Sequence, residues 1–256
     1  MDIHMDASAA AGYKSASQIA RLVSEDWVGR NLYCPRCGSD SVEHLKNNRP
    51  VADFQCPFCG NIFESKASSR PLGMRVADGV YDTMITRIHE ETNPDFLFMQ
   101  YDRETWEVRE FLIVPKYYFH DSLIEKRTPL PETARRSGWV GCNILLGQVP
   151  ERGRIPFIRN AELVDRKTVE RQYRETAFMA QMAFRQRGWL LHVMQCLDDI
   201  QGQEFSLADV YAFAGRLSAL HPENRHIEAK IRQQLQVLRD KGILEFVGRG
   251  HYRKRM

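Results

Sequence analysis

Arg49-Pro-Val-Ala-Asp53-Phe-Gln-Cys56-Pro-Phe-Cys59-Gly-Asn-Ile62-Phe-Glu64-Ser-Lys66 is the stretch around which the chain is organised. Its two flanks, 49–54 and 62–66, alternate apolar and polar residues as half-buried strands do. Between them lies a Cys-x-x-Cys pair, and a second pair, Cys34-Pro-Arg-Cys37, precedes it in the chain. Two such pairs at this separation fit a four-cysteine zinc site. Each pair makes a tight knuckle whose two thiolates face one ion, and four protein ligands close the site, which makes the zinc structural. Gly38 and Gly60 follow the two knuckles and suit the tight turns they need. A redox dithiol would need one pair only. Cys142 and Cys196 sit among apolar neighbours and read as core residues.

The flanking strands carry the second set of candidates. A period of two puts Glu64 and Lys66 on one face, beside Asp53 of the preceding strand. Phosphodiester hydrolysis calls for a divalent ion and for a base or cation next to the attacking water. Hard ions such as magnesium prefer carboxylate oxygens. Asp53 and Glu64 are therefore candidate magnesium ligands, and Lys66 a candidate to orient or deprotonate water. This is the Asp…Glu-x-Lys pattern of PD-(D/E)xK nucleases, with Pro50 three positions before the aspartate instead of next to it. Pattern alone leaves a structural salt bridge open.

Outward from this segment, Ser15 and Gln18 can form a capping box ahead of Ile19, Leu22, Val23 and Trp27 at helical spacing. The reading predicts a helix over 78–90, strands over 96–101 and 108–114, and loops over 128–156 with a short strand near 140–146. A helix over 164–187 is expected to link two modules. With 256 residues, 43% hydrophobic and 27% charged, the chain can bury a core without disulfides. No apolar run approaches the roughly 20 residues of a membrane-spanning helix. The N-terminus lacks a basic or apolar leader pattern, so a cytoplasmic protein is expected.

Residues 189–200, 206–220 and 222–241 read as three helices, the third with Ile227, Ile231, Leu235 and Leu238 on one face and Gly242 as its stop. A hairpin over 243–254 turns at Gly248-Arg249-Gly250. Three helices and a hairpin make a winged helix-turn-helix. From Pro222 to Met256 there are nine Lys/Arg against four Asp/Glu, a net +5, which leaves −2 for the rest of the +3 chain. That asymmetry suits a polyanion binder. Arg225, His226, Lys230, Arg232, Gln233 and Gln234 are expected opposite the apolar stripe, with Arg249 and Arg253 on the wing. Arg and Gln are readers of guanine and adenine in the major groove.

Asn48-Arg-Pro-Val-Ala-Asp-Phe54, both knuckles, Glu64-Ser-Lys66, Ala134-Arg-Arg-Ser-Gly-Trp-Val-Gly-Cys-Asn-Ile144, Ile231 to Lys241 and Gly248 to Lys254 closely resemble the DpnI family of restriction endonucleases. The resemblance runs over nearly the whole chain in the same order. It implies a magnesium-dependent enzyme that cuts double-stranded DNA at GATC carrying N6-methyladenine. The implied fold is α+β: a PD-(D/E)xK restriction-endonuclease-like mixed sheet with an embedded zinc site over 1–182, then a winged-helix DNA-binding domain over 183–256. By motif, Asp53, Glu64 and Lys66 become the catalytic set and Cys34, Cys37, Cys56 and Cys59 the zinc ligands. A methyl reader needs apolar contact in the major groove, for which Trp139 is the candidate, with Arg135 and Arg136 beside it. A monomer in solution is expected. The competing reading is a non-catalytic zinc-ribbon and winged-helix regulator that binds DNA without cutting it.

Overall fold

The computed structural model describes residues 1–45 and 52–255. It divides into two compact units, Met1–Met182 and Ala183–Met256. No helix among the described residues is long and apolar enough to cross a membrane.

The first unit is built on α1 (Ala16–Asn31), β1 (Glu43–His44), β2 (Phe54–Gln55), β3 (Ile62–Ser68), β4 (Val76–Val80) and α2 (Tyr81–His89). It continues through β5 (Asp95–Tyr101), β6 (Val108–Val114), β7 (Ile124–Lys126), β8 (Gly141–Ile144), β9 (Ile155–Arg159), β10 (Glu162–Leu163) and α3 (Arg166–Glu175). A seven-stranded mixed sheet runs β1-β2-β3-β5-β6-β9-β10, in which β3 and β5 pair parallel and the other neighbours antiparallel. A second sheet, β4-β8-β7, is antiparallel throughout.

The central strands are apolar on both faces, as strands covered on both sides are. Val23, Trp27 and Val28 of α1 join a buried cluster with Phe54, Phe63, Leu97, Phe111 and Phe157. Trp27 meets Phe111 edge to face at 5.2 Å, a favoured aromatic geometry. Phe96 and Phe98 alternate to the other face, where Phe119 lies against Phe96. Register places Glu64 beside Phe96 and Lys66 beside Phe98. The two polar residues of β3 therefore share the face turned away from α1.

The structure differs from the sequence expectations in several segments. The strand read over 49–54 falls partly on residues 49–51, outside the described residues; Ala52 and Asp53 are not strand, and β2 begins only at Phe54. Ser15 makes no side-chain cap, because its hydroxyl turns to Ser17. Residues 78–80 are strand, not helix, since β4 hydrogen-bonds to β8. The helix expected over 164–187 breaks: α3 opens on Asp165, which accepts from the Thr168 amide, and closes where the Thr176 hydroxyl bonds the Tyr173 carbonyl, a local bond that competes with helix continuation.

The second unit comprises α4 (Phe184–Asp199), β11 (Glu204–Ser206), α5 (Leu207–Tyr211), α6 (Ala214–Leu220), α7 (Ile227–Asp240), β12 (Leu244–Gly248) and β13 (His251–Lys254). Ser206 and Asp209 form a reciprocal capping box at α5. The single helix expected over 206–220 is two, turned at Ala212–Phe213 so that Val210 and Leu217 both reach full burial. The wing has three strands, β11-β13-β12, with Phe205 stacked on Tyr252. Ile231, Leu235 and Leu238 of α7 pack into the core, while Ile227 is half-buried.

Candidate active site, metal centre and nucleic-acid interface

The two cysteine pairs fold into matching knuckles. The Gly38 amide donates to the Cys34 carbonyl at 2.9 Å and the Gly60 amide to the Cys56 carbonyl at 3.0 Å. Cys34 and Cys56 in turn donate their amides to Ser39 and Asn61, each at 2.8 Å. Gly38 and Gly60 stand at φ 76° and 69°, a region that residues with a Cβ seldom adopt. All four sulphurs lie within 4.8 Å of one another. Cys34 Sγ is 3.6 Å from Cys59 Sγ, and Cys37 Sγ 3.5 Å from Cys56 Sγ. A tetrahedron with metal–sulphur bonds of about 2.3 Å has edges of roughly 3.8 Å, so the four thiols can hold a zinc ion with little adjustment. No disulfide is formed among the described cysteines, and Cys142 and Cys196 are fully buried.

Asp53 sits where the β2–β3 ladder ends. Its amide donates to the Phe63 carbonyl at 2.9 Å and its own carbonyl accepts from Leu45 at 2.8 Å. The next inward-facing amide of β3, that of Ser65, donates to Asp53 Oδ2 at 2.8 Å. The carboxylate thus replaces a backbone acceptor, and this fixes it beside Glu64.

Lys66 Nζ lies 2.5 Å from Glu64 Oε1 and 2.5 Å from Asp78 Oδ1. Asp78, on β4, is the residue the sequence reading missed. Burial pushes the Glu64 carboxyl up to about 7; Lys66 opposes this, and the Asp78 and Asp53 charges add to it. Burial works against the Lys66 ammonium, but Glu64 and Asp78 outweigh it and hold its pKa above the usual lysine range. Burial also lowers that of Arg87 on α2, while Glu64 opposes the shift. Glu64 and Asp78 thus share one bridging ammonium, with the Asp53 charge felt at Glu64. Asp53 and Glu64 carry oxygens of the kind a hard divalent cation takes, whereas Asp78 is engaged by the ammonium. Of the three residues expected to act together, Glu64 and Lys66 are in direct contact, and Asp53 is tied to the same strand through the Ser65 amide.

The loop before β8 carries the methyl-reading candidates. Trp139 is half-buried, its Nε1 enclosed without a hydrogen-bond partner. Its ring lies over Gly141, where a Cβ would stand 2.5 Å from the indole, so only glycine leaves room for this fold-back. Arg136 stacks on the ring at 4.8 Å, and both Arg135 and Arg136 are exposed.

On the winged helix, Arg225, His226, Arg232 and Gln233 are exposed and Lys230 half-exposed, with Lys230 Nζ donating to Gln233 Oε1 at 2.8 Å. Arg232 Nη1 donates to the Tyr211 hydroxyl. Gln234 corrects the expectation. It is 3% exposed, on the buried side with Ile231 and Leu235, and its Oε1 has no partner. Three residues past Ile231 is a core-facing position of a 3.6-residue helix, so Gln234 does not join the exposed face. Arg249 is exposed at the turn between β12 and β13. Arg253 is exposed but spends its guanidinium on Glu204 across the sheet, at 2.6 and 2.9 Å.

Comparison with known families finds two matches. The model described as DpnI, the Dam-replacing family, covers residues 1–182, and that of the Dam-replacing HTH domain covers residues 185–254.

Proposed function

The chain belongs to the DpnI, or Dam-replacing, family, and we propose that it is a methylation-dependent endonuclease hydrolysing double-stranded DNA at GATC that carries N6-methyladenine. The observation that carries this reading is the grouping of Asp53, just before β2 and bonded to the Ser65 amide, with the Glu64–Lys66 pair of β3. Residues 1–182 form the nuclease domain of the PD-(D/E)xK type, and residues 183–256 the winged-helix DNA-binding domain.

Asp53 and Glu64 would hold a magnesium ion, which supplies the charge that polarises the scissile phosphate and activates water. The chain's own part is positioning. Ser65 occupies one oxygen of Asp53, so the carboxylate is oriented before any ligand arrives. Lys66 presents a fixed ammonium where charge develops on the phosphate, the kind of preorganised electrostatics that lowers barriers most. Cys34, Cys37, Cys56 and Cys59 would hold a structural zinc, and the knuckle of Cys56 and Cys59 fixes the loop joining Asp53 to Glu64. Trp139 supplies apolar surface to the adenine methyl, with Arg135 and Arg136 on the adjoining phosphates. Arg225, His226, Lys230, Arg232, Gln233 and Arg249 dock the second domain on DNA. The enzyme works as a cytoplasmic monomer.

The test is a digest, with magnesium, of two plasmids differing only in adenine methylation at GATC. Cleavage of the methylated plasmid alone, lost in Lys66→Ala, supports the reading. Binding without cleavage by the unmutated protein would make it a non-catalytic regulator instead.

A further inference from the structure

Lys66 has two carboxylate partners at equal distance, and they come from different sheets. Glu64 lies two residues away on β3, whereas Asp78 is held on β4 by pairing with Cys142 of β8. The strand bulges immediately after Asp78, between the Asp78 and Val80 pairings. A bulge re-aims the side chains beside it. The Asp78 side chain is 6% exposed, against 17% for Glu64 and 23% for Lys66, so it is the inner anchor of the three.

We infer that Asp78 is a positioning residue that holds the Lys66 ammonium in place when Glu64 turns its oxygens to a bound cation. The inference rests on the nuclease reading of Asp53, Glu64 and Lys66. A cation beside Glu64 would both remove one partner from Lys66 and repel its charge, since two positive charges a few ångströms apart interact strongly where water is excluded. Lysine is a flexible stem ending in a point charge, and one carboxylate must remain to hold it. Asp78 can do this because β4 and β8 fix it independently of β3. In the metal-ready site Asp78 then offsets the ammonium, and Glu64 and Asp53 are left to the cation.

The experiment uses the full chain and adenine-methylated duplex. Asp78→Asn is expected to lower the single-turnover cleavage rate by about 10- to 100-fold, a loss comparable to removing one preorganised electrostatic contact. DNA affinity measured with calcium, the magnesium half-saturation point and the melting temperature should each stay near those of the unmutated protein. Asp78→Glu should recover part of the rate. An unchanged rate overturns the inference, and so does a raised magnesium half-saturation, which would make Asp78 a metal ligand. A second readout needs no cleavage. In Glu64→Gln, the Lys66 ammonium should remain visible by nitrogen NMR as a slowly exchanging signal, and should vanish when Asp78→Asn is added. Loss of that signal in Glu64→Gln alone would equally overturn the inference. A chain that cuts no DNA, yet keeps this NMR behaviour, would sink the nuclease reading and leave the Asp78–Lys66 contact standing.

Discussion

The Asp53 carboxylate accepts the Ser65 backbone N–H at 2.8 Å, in the place where a partner strand would otherwise offer a carbonyl. One side chain therefore does two jobs, ending a ladder and facing a site, and substitution can separate them. Asp53→Asn keeps an acceptor oxygen but loses the charge, so cleavage should fall by at least about 10³-fold at nearly unchanged stability. Asp53→Ala should lose cleavage and, in addition, about 1–3 kcal/mol of stability, the cost of leaving a part-buried amide unsatisfied. Plasmid nicking and urea denaturation of both variants check this.

The raised Glu64 carboxyl makes a pH prediction. Its proton is held more tightly in the folded chain than in the unfolded one, where it leaves near 4.5 as for an ordinary glutamate. Folding stability from this group is full below that pH and is lost as pH rises towards about 7. Glu64→Gln imitates the protonated form permanently. Without added divalent ions, its melting temperature should exceed that of the unmutated chain by a margin that grows from pH 5 to pH 7 and then levels off. A margin independent of pH would contradict the assigned burial.

Metal analysis should return one zinc per chain. Cys56→Ser should abolish it and lower the melting temperature by roughly 10 °C, equivalent to a few kcal/mol at about 2–4 °C per kcal/mol for a domain of this size. Cys142→Ser, which alters a buried thiol apart from the four, should leave the zinc content unchanged.

Gln234 and Gln233 are neighbours in sequence with opposite fates. Gln233→Ala should weaken DNA binding by about 1–3 kcal/mol if it reads a base edge. Gln234→Leu should leave binding unchanged and hold or raise stability, because it replaces a buried amide oxygen that has no partner. Fluorescence anisotropy with a methylated duplex, alongside thermal melts, separates the two.

Trp139→Ala is expected to narrow the rate ratio between methylated and unmethylated duplexes by about 1–3 kcal/mol, the usual worth of a methyl-sized contact. An unchanged ratio would assign methyl reading elsewhere.

Periodicity made β3 after the second knuckle, the stripe of Ile231, Leu235 and Leu238, and the glycine at the wing's turn legible in the sequence, because each depends on near neighbours. The four cysteines were legible for the same reason: spacing alone brings each pair together. Asp78 was not, since its meeting with Lys66 is a contact between two sheets, and the residues around it carry a pattern compatible with a helix. Gln234 misled because residue type argued for the surface while helical phase argued for the core, and phase prevailed. The break at Thr176 was invisible because a hydroxyl bonding backward within its own helix has no signature in hydrophobic patterning.

Adjacent strands that run the same way cannot be joined by a tight turn; the chain must travel back to the starting end before the second can begin. For β3 and β5 that return journey is the segment 69–94, and β4 with Asp78 lies along it. The detour imposed by topology thus also delivers the residue that grips Lys66. Trimming this connector to a minimal crossover would delete an anchor of the site while leaving both flanking strands intact.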